Sequence, residues 1–88
     1  MAYHVIKSLF EKPGILKCSK VVSALESLGF KIKEGKSPNH KIFIHDELPE
    51  FTTGSFACGH GKNSEVKRPY IRNILKILRD YEDELKGE

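Results

Sequence analysis

Apolar residues Ile71, Ile74, Leu75, Leu78 and Tyr81 recur at the three- and four-residue intervals of an α-helix, and Leu85 extends the series. Arg72, Lys76 and Arg79 fall on the other faces. Pro69, just after Arg68, suits the first turn of a helix, where its missing N–H is no loss. A helix with one such stripe must bury it against something. In a chain of 88 residues there is room for a single domain with one modest core. The rest of the sequence must therefore supply the covered surface, which makes this stripe a core face rather than a zipper for a partner.

The pieces that could supply it are short. Val21, Val22, Leu25 and Leu28 follow the helical rule, with Ser19 as the expected N-cap and Gly29 as the stop, so a helix is expected over 20–28. Phe30-Lys31-Ile32-Lys33 alternates apolar with basic, the pattern of a half-buried strand. A turn holding Gly35 and Pro38 leads to a second strand, His40 to His45. Alternation puts His40, Ile42 and Ile44 on one face and Lys41, Phe43 and His45 on the other. The two isoleucines are expected in the core, with His40 at its margin and Phe43 on the open face, although the opposite register is also open. An acidic connection, Asp46 to Gly54, precedes a third strand, Ser55 to His60. Before all of this, Val5, Ile6, Leu9 and Phe10 give a short helix over 3–12 that reads as an appendage, ended by Pro13-Gly14. The order helix, strand, strand, strand, helix implies an α+β domain, two helices on one face of a three-stranded antiparallel sheet.

Charge narrows the partners. The net charge is +3, but the last nine residues, Asp80 to Glu88, hold five acids and one lysine. Residues 1–79 carry fourteen basic and seven acidic residues, a balance of +7. A basic body of this size suits a polyanion, and nucleic acid is the commonest. No apolar run is long enough to cross a bilayer, and the N-terminus lacks the pattern of a secretory signal, so a cytoplasmic protein with no membrane partner is expected. Cys18 and Cys58 form no CxxC pair and, for that compartment, read as reduced. Cys58-Gly-His60 is half of a metal motif, but no standard zinc spacing completes it with Cys18, His4, His40 or His45. Neither a metal nor another cofactor is expected.

Four stretches, in this order, resemble the HicA toxin family of type II toxin–antitoxin modules, also called YcfA-like. They are Leu16-Lys17 through Val21 to Gly29-Phe30; His40-Lys41-Ile42-Phe43; His60; and Glu65-Val66-Lys67-Arg68-Pro69 through Arg72-Asn73-Ile74-Leu75-Lys76. The second is similar to the family's Gly-Ser-His-x-Ile-Phe segment, whose histidine is catalytic, with Pro38-Asn39 standing here in place of Gly-Ser. The resemblance runs from about residue 14 to residue 81. It divides the chain into an N-terminal extension (1–13), a HicA-like domain (14–81) and an acidic tail (82–88). It implies a double-stranded-RNA-binding-domain-like α-β-β-β-α fold, an mRNA interferase activity, and a HicB-type antitoxin that covers the active site.

The chemistry implied suits the residue types. A histidine near neutrality can remove the proton of an RNA 2′-hydroxyl, whose oxygen then attacks the neighbouring phosphate without a metal. His40 is the candidate base. Lys31, Lys33, Lys36 and Lys41 from the sheet region, and Lys67 and Arg68 at the start of the last helix, are candidate RNA contacts. His60, His45 or water would protonate the leaving oxygen, with His60 the candidate second proton donor. The competing class is a non-catalytic module of the same fold that holds RNA by shape and phosphate contacts, with Phe43 and the lysine face in that role. A third is a domain that docks another protein, for which the acidic tail is a candidate contact, against the plainer reading of an unstructured solubilising tail.

Overall fold

The computed structural model describes residues 2–12, 16–36, 39–48, 53–59 and 64–86. The elements run α1 (Ala2–Glu11), β1 (Leu16–Lys17), α2 (Cys18–Ser27), β2 (Lys31–Glu34), β3 (His40–Ile44), β4 (Gly54–Ala57), β5 (Glu65–Val66), α3 (Arg68–Asp80) and α4 (Glu82–Lys86). β2, β3 and β4 form an antiparallel sheet in that order, and β1 and β5 form a separate two-stranded ribbon. The chain is thus an α+β domain with a three-stranded antiparallel sheet backed by helices.

α3 begins where its proline says it should, and Ile71, Ile74 and Leu78 are buried along it. The stripe does not continue as one rod. The helix ends at Tyr81, and α4 resumes with Leu85 buried. The acidic segment is therefore helical through residue 86 and anchored in the core by one leucine, which corrects the reading of an unstructured tail for the described residues. α2 stops at Gly29, which takes φ 96°. The Gly29 N–H donates to the Glu26 carbonyl and the Phe30 N–H to the Leu25 carbonyl. That is the paired closure in which glycine accepts a left-handed conformation and the next residue folds back on the helix. Phe30 and Leu25 are both buried, so the same turn that ends the helix delivers an aromatic ring to the core.

The start of α2 differs from expectation. The cap position is Lys17, with no side-chain cap, rather than Ser19. Strand pairing takes over the role of a cap. Leu16 and Lys17 pair with Val66 and Glu65, and the Cys18 N–H donates to the Ser64 carbonyl at 2.9 Å. Cys18 is also joined to Cys58 through a disulfide with Cα atoms 5.6 Å apart. Two reduced thiols were the expectation, and the pairing corrects it. A separation of 40 residues conceals that the ribbon lays the first turn of α2 against the end of β4.

The sheet register also reverses the expected faces. Ile32 pairs with Phe43 and Phe43 with Gly54, while Lys41 lies opposite Phe56. Phe43 and Phe56 are fully buried, and Ile42 and Ile44 are only half-buried. The covered face is therefore Ile32, Phe43 and Phe56, packed with α2 and α3 residues in one core. Phe43 is not on the open face. The deciding neighbour is Gly54. A Cβ there would collide with the Phe43 ring, so only the absence of a side chain lets the phenyl group lie across the neighbouring strand.

α1 is not an appendage. Tyr3 and Phe10 are buried in the same core, and Ile6 and Leu9 pack against it. The Tyr3 hydroxyl donates to the Leu78 carbonyl at 2.7 Å. Burial, and next the nearby negative charge of Glu82, hold the Tyr3 phenol above its ordinary pKa. A phenol that keeps its proton more tightly when folded contributes stability that is fully present below its unfolded pKa and is lost as pH rises through the folded value. Tyr3→Phe is therefore expected to lower stability by about 1 kcal/mol at neutral pH. It should also flatten the alkaline decline of stability above about pH 10. Urea unfolding at pH 7 and at alkaline pH checks both; equal declines in the two proteins would refute the assignment.

Candidate nucleic-acid interface on the open sheet face

The reversed register decides what the uncovered face of the sheet displays. His40, Ile42 and Ile44 of β3 point there, with Lys33 beside Ile42, Lys31 beside Ile44, and Ser55 and Ala57 of β4 beside Ile42 and His40. The sequence does this locally through alternation alone. Once Phe43 and Phe56 turn inward, their neighbours must turn outward.

His40 is half-buried at the head of β3. Its carbonyl accepts the Gly35 N–H at 2.7 Å, closing the end of the β2–β3 pair. Gly35 lies against the imidazole: a Cβ built there would sit 3.1 Å from the His40 Cβ and 3.2 Å from its Cγ. His40, Lys36, Ile42, Thr53, Gly54 and Ser55 line a shallow depression of ≈ 260 Å³. It thus holds an imidazole, an ammonium and two hydroxyls. Thr53 and Ser55 were not anticipated. The only sequence signal for Ser55 was its place next to an inward Phe56, which becomes readable once the β3–β4 pairing is known.

The six candidate cations are not equivalent. Lys33 sits two residues along β3 from His40 by register, roughly 7 Å, and Lys31 four residues along, roughly 13 Å. Lys36 lines the depression itself. Lys33, Lys36, Lys67 and Arg68 are exposed and make no ion pair among the described residues. Lys31 is bound to Asp46 at 2.6 Å. That hydrogen bond, reinforced by the opposite charges, holds the Lys31 ammonium above its ordinary pKa and the Asp46 carboxyl below its own. Lys41 projects to the other side of β3 from His40, half-buried, and is paired with Glu34 at 2.6 Å. It is therefore set apart from the group around His40. Lys67 and Arg68 open α3 at the His40 end of the sheet. Cys58 N–H donates to the Asn39 carbonyl and Gly59 N–H to the Glu65 carbonyl, which aligns the β3 head, the β4 end and the approach to α3.

The remaining histidines divide. His60 lies outside the described residues. His45 is buried and belongs to the scaffold. Its Nδ1 accepts the Glu47 N–H at 3.1 Å, which leaves Nε2, 2.9 Å from the Leu28 carbonyl, as the donor. Its ring meets Phe30 edge-on at 4.8 Å. With both nitrogens engaged by backbone, His45 is withdrawn from the proton-transfer role considered for it. Among the described residues no three His, Cys, Asp or Glu side chains gather as a metal-binding group. No helix of the described residues is long and apolar enough to cross a membrane.

The arrangement can bind phosphate through Lys36, Lys33 and the hydroxyls, and can place an imidazole against the same ligand. The half-buried Ile42 and Ile44 give the face an apolar floor. No phenyl ring of the described sheet residues lies on it, since Phe43 and Phe56 turn inward, which leaves the His40 imidazole as the ring this face offers. Fold and site together define a small α+β domain with a basic, histidine-bearing open sheet. Compared with protein-family models, curated proteins and solved structures, the chain matches none.

Proposed function

We propose that this chain is a HicA-like toxin that cleaves RNA without a metal, using His40 as the base, on a double-stranded-RNA-binding-domain-like α-β-β-β-α core made of α2, β2, β3, β4 and α3. The observation that carries the reading is the His40 imidazole at the head of β3 on the open face, sharing one depression with Lys36, Thr53 and Ser55. In this reading His40 removes the proton of a 2′-hydroxyl. The freed oxygen attacks the adjacent phosphorus, a cyclic phosphate forms, and the 5′-oxygen departs with a proton from His60 or water. Lys36 and Lys33 stabilise the charge gathering on the phosphoryl oxygens, and the Thr53 and Ser55 hydroxyls donate to them. Lys67 and Arg68 hold RNA backbone beyond the reacting phosphate. Lys31 serves RNA only by exchanging Asp46 for phosphate, and Lys41 contributes least.

A HicB-type antitoxin is the partner in this reading, and an acidic or apolar surface on it would cover the open face. The test is induced expression of wild type and His40→Ala, with growth and messenger RNA integrity followed and folding checked by circular dichroism. Wild type is expected to arrest growth and degrade message, and the variant to do neither. A folded variant that still cleaves RNA removes His40 from the mechanism. Salt-sensitive RNA binding by both proteins with cleavage by neither would assign the face to a non-catalytic RNA-binding module.

A further inference from the structure

α1 and α2 leave a groove between them on a part of the surface distinct from the His40 depression. It encloses ≈ 680 Å³, and its lining is mainly apolar. Val5 and Leu9 of α1 form one wall, and Ala24 with Ser23 and Ser27 of α2 form the other. Small side chains on the α2 wall let another backbone approach closely. Val5 is 62% exposed, and among the described residues only Tyr70 is another large apolar side chain left open. The groove carries Lys12, Lys20 and His4, and no acidic residue of the described chain lines it. Neither Lys12 nor Lys20 makes an ion pair among the described residues.

We infer that this groove receives an acidic amphipathic helix of another protein, its apolar stripe over Val5, Leu9 and Ala24 and its carboxylates toward Lys12 and Lys20. Charge complementarity sets the sign of the occupant, and a groove walled by two helices suits a helix laid into it. The chain's own acidic segment does not qualify, because α4 is already seated with Leu85 buried. A second copy does not qualify either. A two-fold contact through the groove would set its Lys12 and Lys20 against the same basic lining of the other copy, with no acidic residue of the described chain to answer them. The inference stands on α1 and α2 and does not depend on His40.

The test uses the full chain and a fluorescent helical peptide of about 14 residues, long enough to follow α1. Its leucines are spaced i, i+3, i+4, i+7 and flanked by glutamates. A comparator carries lysine at each glutamate position. Anisotropy titration is expected to show the acidic peptide binding at least about tenfold tighter than the basic one, a difference that salt reduces. Val5→Glu, placed on an exposed position so that the urea midpoint stays near wild type, should weaken the acidic peptide about tenfold or more. Lys12→Glu with Lys20→Glu should invert the preference. Equal binding of both peptides, or binding indifferent to Val5→Glu, overturns the proposal. So does self-association that Val5→Glu abolishes, which would give the groove to a second copy.

Discussion

Reduction of the Cys18–Cys58 bond is expected to lower the unfolding free energy by about 3–4 kcal/mol, from the entropy returned to the unfolded chain when a loop of this length is opened. The two cysteines are 40 residues apart in sequence. In a domain of this size each kcal/mol moves the midpoint of thermal unfolding by about 4–8 °C, so the shift should be plain in a melt with and without reductant. The loss should also be local. Cys58 N–H donates to Asn39, and Gly59 N–H donates to Glu65, so the bond pins the end of β4 between the head of β3 and β5. Amide exchange at Cys58 and Gly59 should rise before exchange in α3. A reduced protein within about 1 kcal/mol of the oxidised one would show that the ribbon holds this end unaided.

The second large effect lies at the centre of the sheet. Phe43→Ala is expected to cost about 3–5 kcal/mol, since a fully buried ring leaves a cavity that rigid neighbours cannot fill. Phe43 meets Phe30 edge-on at 5.5 Å and Phe56 at 6.0 Å, and its ring covers Gly54. The complementary change, Gly54→Ala, should cost about 1–3 kcal/mol by overpacking the same space. Because one volume is shared, the two are not independent. A Phe43→Leu, Gly54→Ala double variant should be more stable than the sum of its single changes by at least about 0.5 kcal/mol. Urea unfolding of the four proteins closes the cycle; strict additivity would separate Gly54 from the ring.

Those two sites also mark where sequence patterns stop being informative. The α3 stripe and the Gly29 stop were legible because each depends on local spacing or on a single residue's backbone freedom. The faces of β3 were not. His-Lys-Ile-Phe-Ile-His offers apolar residues to both sides, and period two cannot choose between Phe43 and the isoleucines. The choice is made by Gly54, eleven positions further along the chain, and becomes readable only once the strands are paired. The start of α2 failed for a similar reason. Ser19 is a good cap in isolation, yet pairing with Glu65 and Val66 fixes the chain two residues earlier. At the candidate site, alternation grouped His40 with Ile42 and Ile44, but placing them on the open side required the register. Lys41 was grouped with the RNA contacts because it shares a face with Phe43, expected to be the open one, and the reversed register turns that face inward, away from His40. His45 carried no sign that backbone groups would claim both of its nitrogens.

The bond from Tyr3 to Leu78 spans 75 positions. During synthesis the first helix therefore emerges long before the surface that will receive it. Until α3 and α4 have left the ribosome, Tyr3 and Phe10 have no permanent place to pack, and the apolar side of α1 is open to whatever is nearby. In that interval a chaperone or a helical partner made alongside the chain would find α1 easiest to capture.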